Sequence, residues 1–173
     1  MGVMPPTIRS TEPTDQAAVL SLVRAAFATG GRDGQEEVDI VVKTWQLGGE
    51  ARAIDLVAVD DGVIVGHVLG ARGLLGGVDV LGVAPLAVAP SRQQAGVGTA
   101  LMHELLRRAD EAGWPAAAVL GDPGYYSRFG FESSAPLGIS YPPVGESPYF
   151  QIRRLTNDDE QLRGQFGYCW EIS

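Results

Sequence analysis

Two short stretches hold residue types from which chemistry can be built. The first is Gln93-x-x-Gly96-x-Gly98, inside the run from Leu86 to Leu101. Here an apolar strand pattern passes through a proline-started loop into a helix pattern. A helix start leaves unpaired N–H groups pointing outward and carries positive partial charge. Glycines at that place let the backbone approach a phosphate with no Cβ in the way. The glycines would also serve a plain tight turn. It is the strand–loop–helix setting that favours an anion site, and a pyrophosphate above other anions. The second stretch is Asp122-Pro123-Gly-Tyr125-Tyr126-Ser-Arg-Phe129-Gly130-Phe131. Asp122 suits an N-cap, Pro123 the first helical position and Gly130 the C-terminal stop, which predicts a two-turn helix. Tyr125 and Phe129 read as packing rings. Tyr126, at the end of a buried strand, can reach an open sheet edge, where a phenol of unperturbed pKa about 10 could protonate a leaving group.

The elements that must position these residues follow from periodicity. Ile8-Arg9 reads as a short strand, and Thr14-Asp15 caps a helix over about Asp15–Ala28, with Ala18, Val19, Leu22, Val23, Ala26 and Phe27 on one face. A second helix spans Gln35–Leu47 with Val38, Val41, Val42 and Trp45 as its buried stripe. Ile54–Val59 and Val63–Leu69 are strands joined by the turn pair Asp61-Gly62. Val78–Ala89 is a longer strand interrupted by Pro85. A proline cannot donate to a ladder, so it implies a bulge or a missing neighbour. Gly96–Ala112 is the strongest helix, with Val97, Leu101, Leu105 and Ala109 every fourth residue and Gly113 as its stop. Ala116–Leu120 is a buried strand, Glu132–Tyr149 a proline-rich loop around one strand, and Phe150–Arg154 and Phe166–Ile172 are the final strands. The order predicts one α/β domain over residues 1–173, with a sheet of mixed direction.

Two ligand classes compete for the glycine loop. A dinucleotide fold would need a third glycine where Leu101 stands, and would use Asp122 for the ribose. The connection from Ala89 to Gly96 is long for that motif, and the chain after Asp122 is short for the rest of a doubly wound sheet. The other class fits better. Gln93, Gly96 and Gly98 fill the signature Gln/Arg-x-x-Gly-x-Gly/Ala of the GNAT acetyltransferase superfamily, and the sequence resembles that superfamily from about Ile54 to Phe131. The run Gly121-Asp122-Pro123 through Phe131 is similar to the tyrosine helix of its bacterial members.

The resemblance implies a mixed, mostly antiparallel central sheet flanked by helices, with a splayed central strand. It implies acetyl-CoA, or another acyl-CoA, as donor and no metal. It puts the pyrophosphate amides at Gln93, Gln94, Ala95, Gly96, Val97 and Gly98, with Thr99 at the edge. The pantetheine arm would pair with Leu86 and Val88, the Val88 N–H would face the thioester oxygen, and Tyr126 would touch the cofactor and be the general acid. Gln94 and Ala95 depart from the commoner Gly and Gln/Arg. The acceptor implied is a small-molecule or peptide amine. A homodimer through the C-terminal strands is also within the family's range. A non-catalytic acyl-CoA-binding domain and an NAD(P)-binding oxidoreductase are the rival readings, since a fold does not fix an activity.

Other residues carry less. Glu36, Glu37 and Asp39 lie on the helix that often borders the acceptor groove in the superfamily, but such residues are more often a solvated face, and that is the reading taken. No acid occurs in Val80–Val88 to act as a base, and Asp79 is the nearest. Trp45, Tyr141, Tyr149 and Phe150 are candidates for an acceptor pocket, with core packing as the simpler reading. His67 reads as a structural histidine, His103 as exposed and Cys169 as a packed strand residue. Two histidines and one cysteine make no zinc spacing. Composition excludes further classes. The chain has 173 residues, 45% hydrophobic and 20% charged, which suits one folded domain. Thirteen basic against 21 acidic residues give a net charge of −8, with no basic face for nucleic acid. No apolar run approaches a membrane span. Met1-Gly2 opens neither a signal peptide nor a lipidation motif. The expectation is a cytoplasmic protein free of membrane.

Overall fold

The computed structural model describes residues 5–51, 53–145, 147–158 and 161–172. Met1-Gly2, on which the lipidation reading rests, lies outside them. Strand β1 (Thr7–Ser10) leads through a 3-10 turn into α1 (Gln16–Phe27) and α2 (Gln35–Leu47). Strands β2 (Ile54–Asp60), β3 (Val63–Leu75) and β4 (Val78–Val88) form an antiparallel meander. Helix α3 (Val97–Glu111) crosses over to β5 (Ala116–Leu120), which pairs parallel with β4. Then come α4 (Pro123–Tyr126), β6 (Glu132–Ser133), β7 (Ile139–Ser140), β8 (Phe150–Arg154), β9 (Gly164–Tyr168) and α5 (Cys169–Ile172). The sheet order is β1-β2-β3-β4-β5-β8-β6, and β9 pairs with both β3 and β7. Apart from β4–β5 and β7–β9, the described pairs are antiparallel.

Binary pattern explains the layers. Val97, Leu101, Leu105 and Ala109 of α3 bury one stripe against Leu56, Ala58, Val65 and Val68 on one sheet face. On the other face Val19, Leu22 and Val23 of α1 and Val38 and Val41 of α2 pack against Val57, Leu69 and Ala87. Strand alternation sorts neighbouring residues such as Val68 and Leu69 to opposite faces. Gly66 lets α3 lie close, because a Cβ there would sit 2.7 Å from Val97 Cγ1. A third cluster of Tyr141, Phe150, Phe166 and Tyr168 joins the later strands.

Three segments differ from the sequence reading. β3 runs on to Leu75, because its second half gains partners on both sides: β4 and, at Gly73–Leu75, β9. The Glu132–Tyr149 segment holds two short strands rather than one. The strand expected over Phe166–Ile172 ends at Tyr168, and Cys169–Ile172 is a helical turn. Glu171 holds that turn: it accepts the Tyr168 N–H at 2.9 Å and the Tyr141 hydroxyl at 2.8 Å. Cys169 is therefore packed, as expected, but in a helix.

Candidate active site

The site begins where β4 leaves its neighbour. β4 pairs with β5 only from Leu81 to Val83, against Ala117 to Val119. Beyond that, Val68 of β3 lies opposite Leu86 and Gly70 opposite Val83, so two steps on β3 match three on β4. The extra residue falls at Ala84-Pro85, which is the bulge that Pro85 foretold. After it, Ala89 donates its N–H to Val65 of β3 at 2.9 Å. Alternation in an antiparallel ladder then turns Ala87 and Ala89 toward β3, and the N–H and C=O groups of Leu86 and Val88 toward the slot beside β5. The Val88 carbonyl receives the Gln93 side-chain amide at 3.3 Å.

A 3-10 turn over Pro90–Arg92 joins β4 to the glycine loop. Arg92 forms an ion pair with Asp60, which anchors this turn and occupies the guanidinium. Gln94 has φ 66 and Gly96 φ 87, both left-handed, and Gly96 is the N-cap of α3. The Ala95 N–H bonds Arg92 and the Ala100 N–H bonds Gly96. The first-turn amides of Val97, Gly98 and Thr99 have no earlier helical carbonyl to bond, as at any helix start. A cavity of about 910 Å³ lies against this end, lined by Leu86, Val88, Gln93, Gln94, Gly96, Gly98 and Thr99. Seven of the expected positions thus share one cavity. Ala95 and Val97 do not line it. They border a smaller hollow with Arg92 and Asp60, and the Val97 side chain is in the core.

The tyrosine helix closes the far wall. Asp122 caps it as expected, accepting the Gly124 N–H at 2.9 Å. One α turn is followed by a 3-10 turn over Ser127–Phe129, and Gly130 at φ 84 ends it. Tyr125 does more than pack. Its ring lines the 910 Å³ cavity with Thr99, and its hydroxyl lies over Gly98. Tyr126 faces a second cavity of about 710 Å³. Burial, with Tyr125 adding to it, pushes the Tyr126 phenol well above its ordinary pKa, so it stays protonated at neutral pH. Its ring rests edge-on to Phe131 at 5.8 Å. Gly121 makes room for it, since a Cβ there would stand 2.4 Å from Tyr126 Cε2.

Phe27, Leu86 and Asp122 line both cavities, so the two meet at the splayed strand. The second one is bordered by α2, β4, β5 and the C-terminal turn. Glu36, Glu37 and Asp39 are there, and Tyr141 with them. Trp45 is not: its indole N–H donates to Asp55 at 2.8 Å beside the α1–α2 core. Phe150 is fully buried in the core and Tyr149 is exposed. His67 is structural, with Nε2 2.7 Å from Asp55 Oδ1. Sequence reasoning missed Arg128, which lines the first cavity with its guanidinium 4.7 Å above the Tyr125 ring. Its position one helical turn after Gly124 was the available signal. Among the described residues no group of three or more His, Cys, Asp or Glu could hold a metal ion, and no helix is long and apolar enough to cross a membrane.

Comparison with known proteins gives the family. The model of the acetyltransferase (GNAT) domain matches residues 52–133. The N-acetyltransferase YhbS of Escherichia coli K12, itself uncharacterized, is 33% identical over 154 residues, covering 87% of this chain and 88% of its own. The chain belongs to the GNAT acetyltransferase family. A crystal structure of that YhbS in complex with CoA superposes with a TM-score of 0.86 at 31% identity, over 97% of this chain and 92% of the other. A GNAT acetyltransferase from Brucella melitensis in complex with acetyl-CoA gives 0.77 at 32% identity, over 94% of each. This GNAT protein is accordingly an acyltransferase, with the mostly antiparallel sheet of its family. The oxidoreductase reading falls with the topology, because among the described residues β4–β5 is the only parallel pair in the central sheet order.

Proposed function

We propose that the protein transfers an acetyl group from acetyl-CoA to the primary amine of a small molecule or peptide by direct attack. The observation that carries this reading is the pair of cavities meeting at Leu86. The first joins a helix start to the edge of β4 that β5 leaves uncovered; the second holds a half-buried phenol. The amides of Gly96 to Thr99, with Gln93 and Gln94 beside them, would hold the pyrophosphate, since they supply donors and positive partial charge at one point; the Ala95 N–H, already bonded to Arg92, does not join them. Tyr125 and Arg128 extend that site on its outer wall. The amides of the pantetheine arm would pair with Leu86 and Val88 as an added strand, which is how an exposed sheet edge takes an extended ligand.

The thioester then lies at the shared constriction. A neutral amine entering from the second cavity attacks the carbonyl carbon, and the C–S bond breaks as the C–N bond forms. The Val88 N–H faces the oxygen on which negative charge develops, in the manner of an oxyanion-hole donor. Tyr126 gives the departing thiolate its proton, and the proton that the nitrogen sheds as the amide forms returns through water to the phenol. Its raised pKa keeps the proton on the phenol at neutral pH until the thiolate departs. Thiol release from acetyl-CoA with a panel of primary amines tests the reading. Amine-dependent release supports it, and binding of CoA without turnover of any amine counts against it.

A further inference from the structure

The acceptor cavity has an uneven charge. Glu36, Glu37, Asp39, Asp122 and Glu171 line it against Arg32 and Lys43. Most of these carboxylates are engaged. Asp39 accepts from Gln35 at 2.7 Å, Asp122 caps α4, and Glu171 holds Tyr141 and Tyr168. Glu37 is different. It is 8% exposed, its Oε1 is paired with Arg32, and its Oε2 is buried with no hydrogen-bond partner. A buried carboxylate oxygen without a donor has lost its hydration and gained nothing in return. Arg32 is a partner open to solvent. Its side chain is 55% exposed, it is shared with Glu36 at 3.4 Å, and it sits on the Gly30-Gly31-x-x-Gly34 loop between α1 and α2, where all three glycines have positive φ. Aromatic rings complete the wall: Tyr126, Tyr141, and Tyr168 stacked on Trp170 at 4.3 Å. Carboxylates beside aromatic faces suit an organic cation.

We propose that Glu37 is the seat for a cationic group of the acceptor, and that Arg32 holds this seat until the acceptor displaces it. The inference rests on the acetyltransferase reading given above. Glu37 lines the second cavity from α2, whereas the constriction is marked by Phe27, Leu86 and Asp122, which line both cavities, with Tyr126 packed over Gly121 next to Asp122. The nitrogen that attacks must be neutral and at that constriction. The charge held by Glu37 therefore belongs to another part of the molecule, and the acceptor class is a diamine, or an amine with a second positive centre.

The test compares 1,4-diaminobutane with n-butylamine as acceptors for acetyl-CoA, alongside calorimetric binding of 1,4-diaminobutane in the presence of CoA. The wild type is expected to favour the diamine at least tenfold in kcat/KM. Glu37→Gln should bring that ratio to within threefold, mostly through the KM of the diamine, and weaken calorimetric binding about tenfold. Arg32→Gln, at an exposed position, should lower the diamine KM several-fold. Equal kcat/KM for both amines, or a diamine KM that rises in Arg32→Gln, overturns the proposal. So does a Glu37→Gln variant that loses kcat equally with both amines, which would put Glu37 at the reacting nitrogen. Glu37-dependent binding of the diamine with no acetylation of either amine leaves the seat standing and refutes the transferase reading instead.

Discussion

Gly96 and Gly98 share one motif but serve it for different physical reasons, and alanine at each separates them. Gly96 has φ 87 with nothing within 4 Å of a would-be Cβ. Alanine there meets no neighbour, but must adopt a left-handed backbone that costs about 1–2 kcal/mol. For a chain of this size that lowers Tm by about 2–8 °C. Gly98 lies inside the first turn of α3, where alanine is the better helix former by about 0.8–1.0 kcal/mol. Its Cβ would stand 2.7 Å from the Tyr125 hydroxyl, 3.5 Å from Val88 and 3.8 Å from Leu86. The hydroxyl can retreat, but only toward the cavity where the donor is expected. Gly98→Ala should therefore keep Tm within about 2 °C of wild type, the helix gain offsetting the displaced ring, while acetyl-CoA binds about tenfold more weakly, or about 1.4 kcal/mol. Thermal melts and calorimetric titration with CoA measure both quantities. A Gly98→Ala protein that binds CoA like the wild type would refute the reasoning, as would a Gly96→Ala protein with an unchanged melting temperature.

Tyr126→Phe should lower kcat by roughly 10²–10⁴-fold with an unchanged Kd for acetyl-CoA, since its hydroxyl faces the acceptor side; a loss confined to donor binding would contradict that. Arg128→Ala should raise the KM for acetyl-CoA and flatten its dependence on salt, because an exposed guanidinium acts on phosphates through a screened field; equal salt slopes would count against it. Asp55 supplies a pH effect. Burial pushes its pKa up, but His67, Thr11 and Trp45 outweigh this and hold it at about 2. A depressed carboxylate stabilises the fold above its unfolded pKa of roughly 3.9 and loses that contribution as pH falls toward the folded value, by about 2 kcal/mol in all. Urea melts between pH 5 and pH 2 should show this loss in the wild type and lack it in Asp55→Asn.

Much of the site was legible because local rules and the global fold agree there. The α3 stripe, the Gly96 start, the Asp122 cap and the break at Pro85 each follow from short-range geometry, and each is present in the structure. What sequence could not show depends on residues far apart in the chain. Gly121 matters only because the Tyr126 ring folds back over it. Glu37 looked like any acid in a first helical turn until α5 and β4 closed around it. Phe166–Ile172 carries a strand-like composition, but Glu171 finds Tyr141, thirty residues earlier, and turns the chain into a helix. The second half of β3 is too rich in glycine to read as a strand, yet Gly73 is what lets Phe166 lie on the sheet, as Gly82 of β4 does for Tyr168.

The account stands on the amides at the start of α3 and the slot beside β4. Amide ¹H–¹⁵N spectra recorded while acetyl-CoA is added test both at once. The account predicts that the largest shifts fall on Gly96, Val97, Gly98, Thr99 and Val88, and that NAD(P) at the same concentration leaves these signals in place. Acetyl-CoA that binds while those amides stay unmoved would contradict it.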